Sequence, residues 1–226
     1  MDKTMSFSTA ELNQKLVELY ESVYPALMKD LKALPKVSSP MLCQVPHGYA
    51  ETAVRLFMVG QETRGWGRKG VEGVAALMDF YSETRHPKGR QSPIAQATRQ
   101  LFRALNPEAP DLTFLWSNLI TVDQDGHPPS AEIQKSVCSY RLLPREIAIT
   151  KPDAVVFFTG SHRNRFIAMF PGVTFEKNVA PLIDRVVHPD LPKSTYYTNH
   201  PRWLWQSGHR KVIDDLIRLI RNDRNI

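Results

Sequence analysis

The run Leu56-Phe57-Met58-Val59 is closed at once by Gly60-Gln61-Glu62-Thr63-Arg64-Gly65-Trp66-Gly67. A short apolar run bounded by glycine reads as a buried strand. In an open α/β sheet, chemistry collects just past the carboxyl ends of the strands. Residues 60–67 therefore read as an active-site loop, with a carboxylate, an amide, a cation and an aromatic ring supplied within a few positions.

The rest of the chain repeats the strand signal and intersperses it with helices. Residues 112–122 and 154–160 are further strong strand signals, and 173–176 and 195–198 read as short ones. Helical spacing of apolar residues is predicted over 9–34, with a kink at Pro25, and over 70–81. Further helices are predicted over 93–105, with Pro93 in the first turn, and over 131–150, interrupted by Pro144. The last two are a short one over 161–170 and a final one over 207–221. Residues 35–53 hold Pro35, Pro40 and Pro46 and read as a loop. The basic stretch 82–92 reads as an exposed connector. Strands alternating with helices predict a three-layer α/β/α fold with a mainly parallel sheet. The chain has 226 residues, 42% of them apolar. One domain spanning 1–226 is expected, with an N-terminal helical segment at about 9–34.

Charge and cysteine content narrow the function classes. The chain carries 29 basic and 23 acidic residues, a net charge of +6, which favours a polyanionic partner. Cys43 and Cys138 are too few for a disulfide framework or a four-thiolate cluster, and both are expected as buried, reduced thiols. No histidine pair has helical zinc spacing, and the phosphate-loop, dinucleotide-loop and nucleophile-elbow patterns are absent. No metal and no cofactor are expected. A polar N-terminus and the lack of a long apolar run predict a cytoplasmic protein with no membrane partner.

Three polar clusters fall at predicted strand ends: Gln61-Glu62 with Arg64, Asn118, and Asn199-His200. Carboxyl ends of parallel strands share one edge, so these clusters are expected to meet in one crevice. A carboxylate can hold water or face a developing cation. An asparagine amide, with donor and acceptor, can read the edge of a base. A histidine can donate to a developing anion. Each also has a plain structural reading: Glu62 as a cap or the partner of Arg64, Asn118 satisfying backbone groups, and His200 braced before Pro201. After His200, Arg202 stands beside Trp203, Leu204 and Trp205, and large apolar side chains at a loop tip can wedge into or stack on bases. The pair Ser161-His162 reads as a local coincidence.

The stretches Gly60-Gln61-Glu62-Thr63-Arg64-Gly65 and His200-Pro201-Arg202-Trp203-Leu204-Trp205 resemble two motifs of the uracil-DNA glycosylase superfamily, G-Q-D-P-Y-H and H-P-S-P-L-S. Trp116-Ser117-Asn118-Leu119-Ile120-Thr121-Val122 is similar to that family's strand ending in a base-reading asparagine. The likeness runs in order over residues 54–206. It implies a three-layer α/β/α fold around a central, mainly parallel four-stranded sheet. It also implies a monomeric DNA glycosylase acting on uracil or another modified base in single- or double-stranded DNA. On this resemblance Glu62 replaces the catalytic aspartate, and His200 is the histidine that stabilises the leaving base. Asn118 reads the base and Gln61 contacts it through its backbone. Arg202 contacts a phosphate, and Leu204, beside Trp203, fills the gap left by the flipped nucleotide. Trp66 is the candidate for stacking on the base. Arg64 stands where the family has a tyrosine that excludes thymine, which implies a modified or larger base. Thr63 replaces a proline. The alternatives are a nucleic-acid-binding protein on the same fold without excision, and a small-molecule hydrolase or binder using the same crevice.

Overall fold

The computed structural model describes residues 7–65, 71–84 and 92–226. Trp66, and the basic positions 85–90 of the expected connector, lie outside the described residues.

The chain opens with α1 (Thr9–Lys32), capped by Ser8. The Glu11 N–H donates to Ser8 Oγ, and the Ser8 N–H donates to Glu11 Oε2. This reciprocal pair satisfies two of the helix's free donors. Pro25 lies inside the helix without splitting it, and Leu12, Leu16, Leu19, Tyr20, Leu27 and Leu31 form its buried face. There follow β1 (Leu56–Glu62), α2 (Val74–Thr84), α3 (Pro93–Leu105) and β2 (Leu115–Ile120). Next come α4 (Ala131–Ser139), α5 (Leu142–Thr150) and β3 (Ala154–Phe157). A 3-10 turn (Gly160–His162) leads into α6 (Arg163–Met169). The chain continues through β4 (Thr174–Ala180), β5 (Ile183–Val187), β6 (Ser194–Thr198), α7 (Pro201–Gln206) and α8 (Val212–Arg224).

Among the described residues the strands form one six-stranded sheet of order β2-β1-β3-β6-β5-β4. The first four are mutually parallel, and β5 and β4 continue the sheet antiparallel. The expected four-stranded sheet is thus extended by a hairpin. Sequence pattern misses β5 because Asp184 and Arg185 interrupt its apolar residues. Asp184 pairs with Arg163 and Arg185 with Asp223, so both charges are compensated in the fold. Two other expectations shift. The helix predicted over 131–150 is two, separated at Arg141, whose φ of 49° is left-handed. The final helix begins at Val212, and residues 207–211 form a turn that separates it from α7.

Helices cover both faces. Phe57 and Val59 of β1 pack into a core shared with α1, α2 and α5, while Leu56 and Met58 face a second core under α3, α7 and α8. Strand alternation splits adjacent residues between two apolar layers, which is why β1 is uninterrupted in its hydrophobicity. Cys43 is buried as expected, Cys138 only partly so, and both are free thiols. No helix among the described residues is long and apolar enough to cross a membrane.

Candidate functional site

The four parallel strands bring their carboxyl ends to one edge. β1 ends in Glu62, β2 carries Asn118 two residues from its end, β3 leads to Gly160–His162, and β6 leads to Asn199 and His200. The register sets Gly60 opposite Asn118 and Glu62 opposite Ile120. A Cβ at Gly60 would lie 2.3 Å from Asn118 Oδ1 and 2.8 Å from Trp116 Cζ2. Only glycine lets the Asn118 amide lie across β1 in this way. Asn118 is buried, and its Nδ2 faces Met41 Sδ at 3.7 Å, a weak contact that leaves the amide unspent on backbone groups.

Glu62 is the last residue of β1, with its side chain 3% exposed. Its Oε1 is 3.4 Å from Arg64 Nε, and its Oε2 is 3.7 Å from His162 Nε2. The buried Oε2 has no hydrogen-bond partner among the described residues. A buried polar atom left in that condition costs free energy unless something beyond the described residues engages it. His162 Nδ1 lies 3.1 Å from the Thr159 carbonyl, which can only accept, so Nδ1 carries the proton. In the neutral ring Nε2 is then an acceptor facing a second acceptor. Burial, and then Arg165, push the His162 pKa down, against the opposing pull of Glu62, so the neutral ring is favoured.

His200 caps α7. Its Nδ1 accepts the Arg202 N–H at 3.1 Å, which puts the proton of the neutral ring on Nε2. Burial, and then the positive charges of Arg64 and Arg202, lower its pKa to about 4. His200 is therefore a neutral N–H donor at physiological pH. Arg64, with its side chain 63% exposed, bears on both Glu62 and His200.

The Glu62–Gly65 segment is fixed from below by Asp123. One carboxylate oxygen accepts from Thr63 Oγ1 at 3.0 Å and from the Gly65 N–H at 2.9 Å, and the other accepts from the Gly126 N–H. A hydroxyl bonded to a buried carboxylate thus steadies the loop at Thr63.

The other predicted residues separate. The Gln61 side chain donates to the Thr159 carbonyl and ties β1 to the end of β3. Arg202 is exposed, and Trp203 is 45% exposed with its ring stacked on His209 at 5.8 Å. Leu204 is fully buried in the core under α7, so the wedge expected of it is corrected: it cannot reach a bound strand. A short helix after His200 turns position 203 outward and position 204 inward, which a motif alignment cannot register. Sequence reasoning missed Asp123 and His162. Both fall within a few residues of apolar strand runs, the rule that singled out Glu62, but Asp123 read as part of a turn and Ser161-His162 as a coincidence. Among the described residues no three His, Cys, Asp or Glu side chains converge in a way that could hold a metal ion.

Compared with known proteins by sequence, the chain matches no family model and no characterised protein.

Proposed function

We propose that the chain is a monofunctional DNA glycosylase that hydrolyses the N-glycosidic bond of uracil or another modified base. The observation that carries this reading is the buried Glu62 Oε2, without a hydrogen-bond partner among the described residues and 3.7 Å from the acceptor nitrogen of His162. A water donating one proton to each would have its lone pair aimed outward, held for attack. The target nucleotide leaves the base stack and enters the strand-end crevice. As the bond to the sugar lengthens, positive charge grows on the sugar and negative charge on the base. Glu62 stabilises the first and, with His162, orients the water. The neutral Nε2–H of His200 donates to the second, and Arg64 adds a positive charge on the same side. Groups preorganised towards both charges are what accelerates such a cleavage. Asn118 offers a donor and an acceptor to the base edge. The exposed Trp203 takes the wedge position in place of Leu204, with Arg202 at the phosphates. Such an enzyme meets its substrate in the cytoplasm, or at the nucleoid of a prokaryote.

The exposed Trp203, with Arg202 beside it and Arg210 over the neighbouring Trp205 ring, also favours a second reading: nucleic-acid binding on this fold without excision. One experiment separates the two. Oligonucleotides bearing uracil or other modified bases are incubated with the protein, free base is quantified, and binding is followed against salt. Base release supports the glycosylase. Binding that weakens steeply with salt, without release, supports the second reading. Neither release nor salt-dependent binding contradicts both.

A further inference from the structure

A cavity of about 190 Å³ opens beside the site, lined among others by Gly160, Arg163, Asn178, Asp184, Thr198 and Asn199. Gly160 follows β3 and Asn199 directly precedes His200, so the cavity lies on the same carboxyl edge. Its far wall is the tip of the β4–β5 hairpin, since Ile183 of β5 pairs with Thr198 at the end of β6. That volume corresponds to about six water molecules at roughly 30 Å³ each, the scale of one heterocyclic base.

The walls are tied together by hydrogen bonds and an ion pair. The Arg163 guanidinium lies 4.1 Å over the Phe175 ring and pairs with Asp184. The second Asp184 oxygen accepts the Asn178 N–H at 2.9 Å. Thr198 Oγ1 donates to the Leu182 carbonyl, and the Tyr197 hydroxyl donates to that of Gly160. The lining therefore carries one positive and one negative charge, and these are already matched. A phosphate entering it would meet the Asp184 carboxylate with no uncompensated cation. The groups of the lining without a partner among the described residues are two side-chain amides, that of the exposed Asn178 and that of the half-buried Asn199. Among the described residues neither the Asn178 nor the Asn199 amide has a hydrogen-bond partner, and Asn199 Oδ1 lies 3.3 Å from where a Cβ on Gly160 would stand. Amides with a donor and an acceptor suit the edge of a neutral base.

We propose that this cavity holds the nucleobase adjacent to the excised one and reads its edge through Asn178 and Asn199, giving the enzyme a sequence context. The proposal rests on the glycosylase reading above. Asn178 has a φ of 53° within the irregularity of β4, which glycine adopts freely, so Asn178→Gly removes the amide and keeps the backbone of the strand. The test measures single-turnover excision on substrates in which each neighbour of the target base is varied through all four bases, with melting temperatures confirming that the variant folds. The wild type is expected to vary about tenfold across bases at one neighbouring position, the discrimination a good base-edge contact supplies. In Asn178→Gly the rate on the preferred neighbour should fall to that on the others. A wild type indifferent to both neighbours, or a variant that keeps the preference, overturns the proposal. If no substrate releases base, the glycosylase reading fails and the cavity is judged by NMR with a single-stranded trinucleotide. Shifts of the Asn178 and Asn199 side-chain amide signals then support a base subsite, and unmoved signals overturn it.

Discussion

Glu62 Oε2 and His162 Nε2 face each other across 3.7 Å as two acceptors, because the His162 Nδ1 proton is committed to the Thr159 carbonyl. The pair joins the end of β1 to the turn after β3. Replacing His162 by leucine leaves Glu62 to hold water alone. The rate of base release should drop about a hundredfold, in the range typical of losing one proton-transfer or water-orienting group. The drop should fall on the single-turnover rate at saturating enzyme rather than on DNA affinity. His162→Asn, which keeps a polar acceptor, should recover part of it. An unchanged rate in His162→Leu would remove the residue from the mechanism.

Gly60 is where the Asn118 amide crosses β1. Gly60→Ala places a Cβ 2.3 Å from Asn118 Oδ1, which must displace the amide. Overpacking of this kind typically costs about 1–3 kcal/mol, read by denaturant unfolding, and discrimination between bases should fall with it. Since both effects run through one contact, Gly60→Ala combined with Asn118→Ala should cost less stability than the sum of the single changes.

Trp203 and Leu204 are neighbours with opposite fates, and their variants should separate accordingly. Trp203→Ala should weaken DNA binding by about 1–3 kcal/mol, the scale of one base–aromatic contact, without lowering the melting temperature. Leu204→Ala should destabilise the fold by about 2–5 kcal/mol, as for a fully buried leucine, while folded protein keeps its DNA affinity. Binding and melting measurements on the same preparations decide this.

That contrast shows how much was legible in the sequence. β1 and β3 announce themselves by unbroken apolar runs, β2 by a run interrupted only at Ser117 and Asn118, and β6 by its β-branched and aromatic residues. The parallel sheet and its edge follow from them, and so does the placement of Glu62, Asn118 and His200. β5 was hidden because its charges find partners only in the folded chain. His162 and Asp123 were hidden because their roles depend on what lies across the edge, not on their neighbours in sequence. Leu204 was misplaced because a one-residue rotation on α7 decides between solvent and core.

Two titratable groups, one buried and one partly buried, give opposite pH dependences. Glu146 is fully buried, and its Oε1 and Oε2 accept from Tyr20 and Ser117. Burial raises its pKa from 4.5 to about 7. The native state therefore binds more protons than the unfolded one in that interval, and stability falls as pH rises through it, by at most about 3 kcal/mol. His200 shifts the other way, from 6.5 to about 4. Its unfolded state binds more protons in that interval, so stability rises with pH there. Glu146→Gln should leave the rising limb of His200 exposed and stabilise the protein above pH 7. His200→Gln should leave the falling limb of Glu146. Denaturant unfolding from pH 4.5 to 8 measures both, and parallel curves for wild type and Glu146→Gln would contradict the assignment.

The central claim is that the Glu62 carboxylate cleaves the bond between base and sugar. Single-turnover release of free base, compared between wild type and Glu62→Gln on a substrate the wild type cleaves, tests it most directly. Glu62→Gln keeps the shape of the side chain and removes its charge. The account predicts release slowed by about a hundredfold or more, with DNA binding retained. Release as fast as wild type would contradict it.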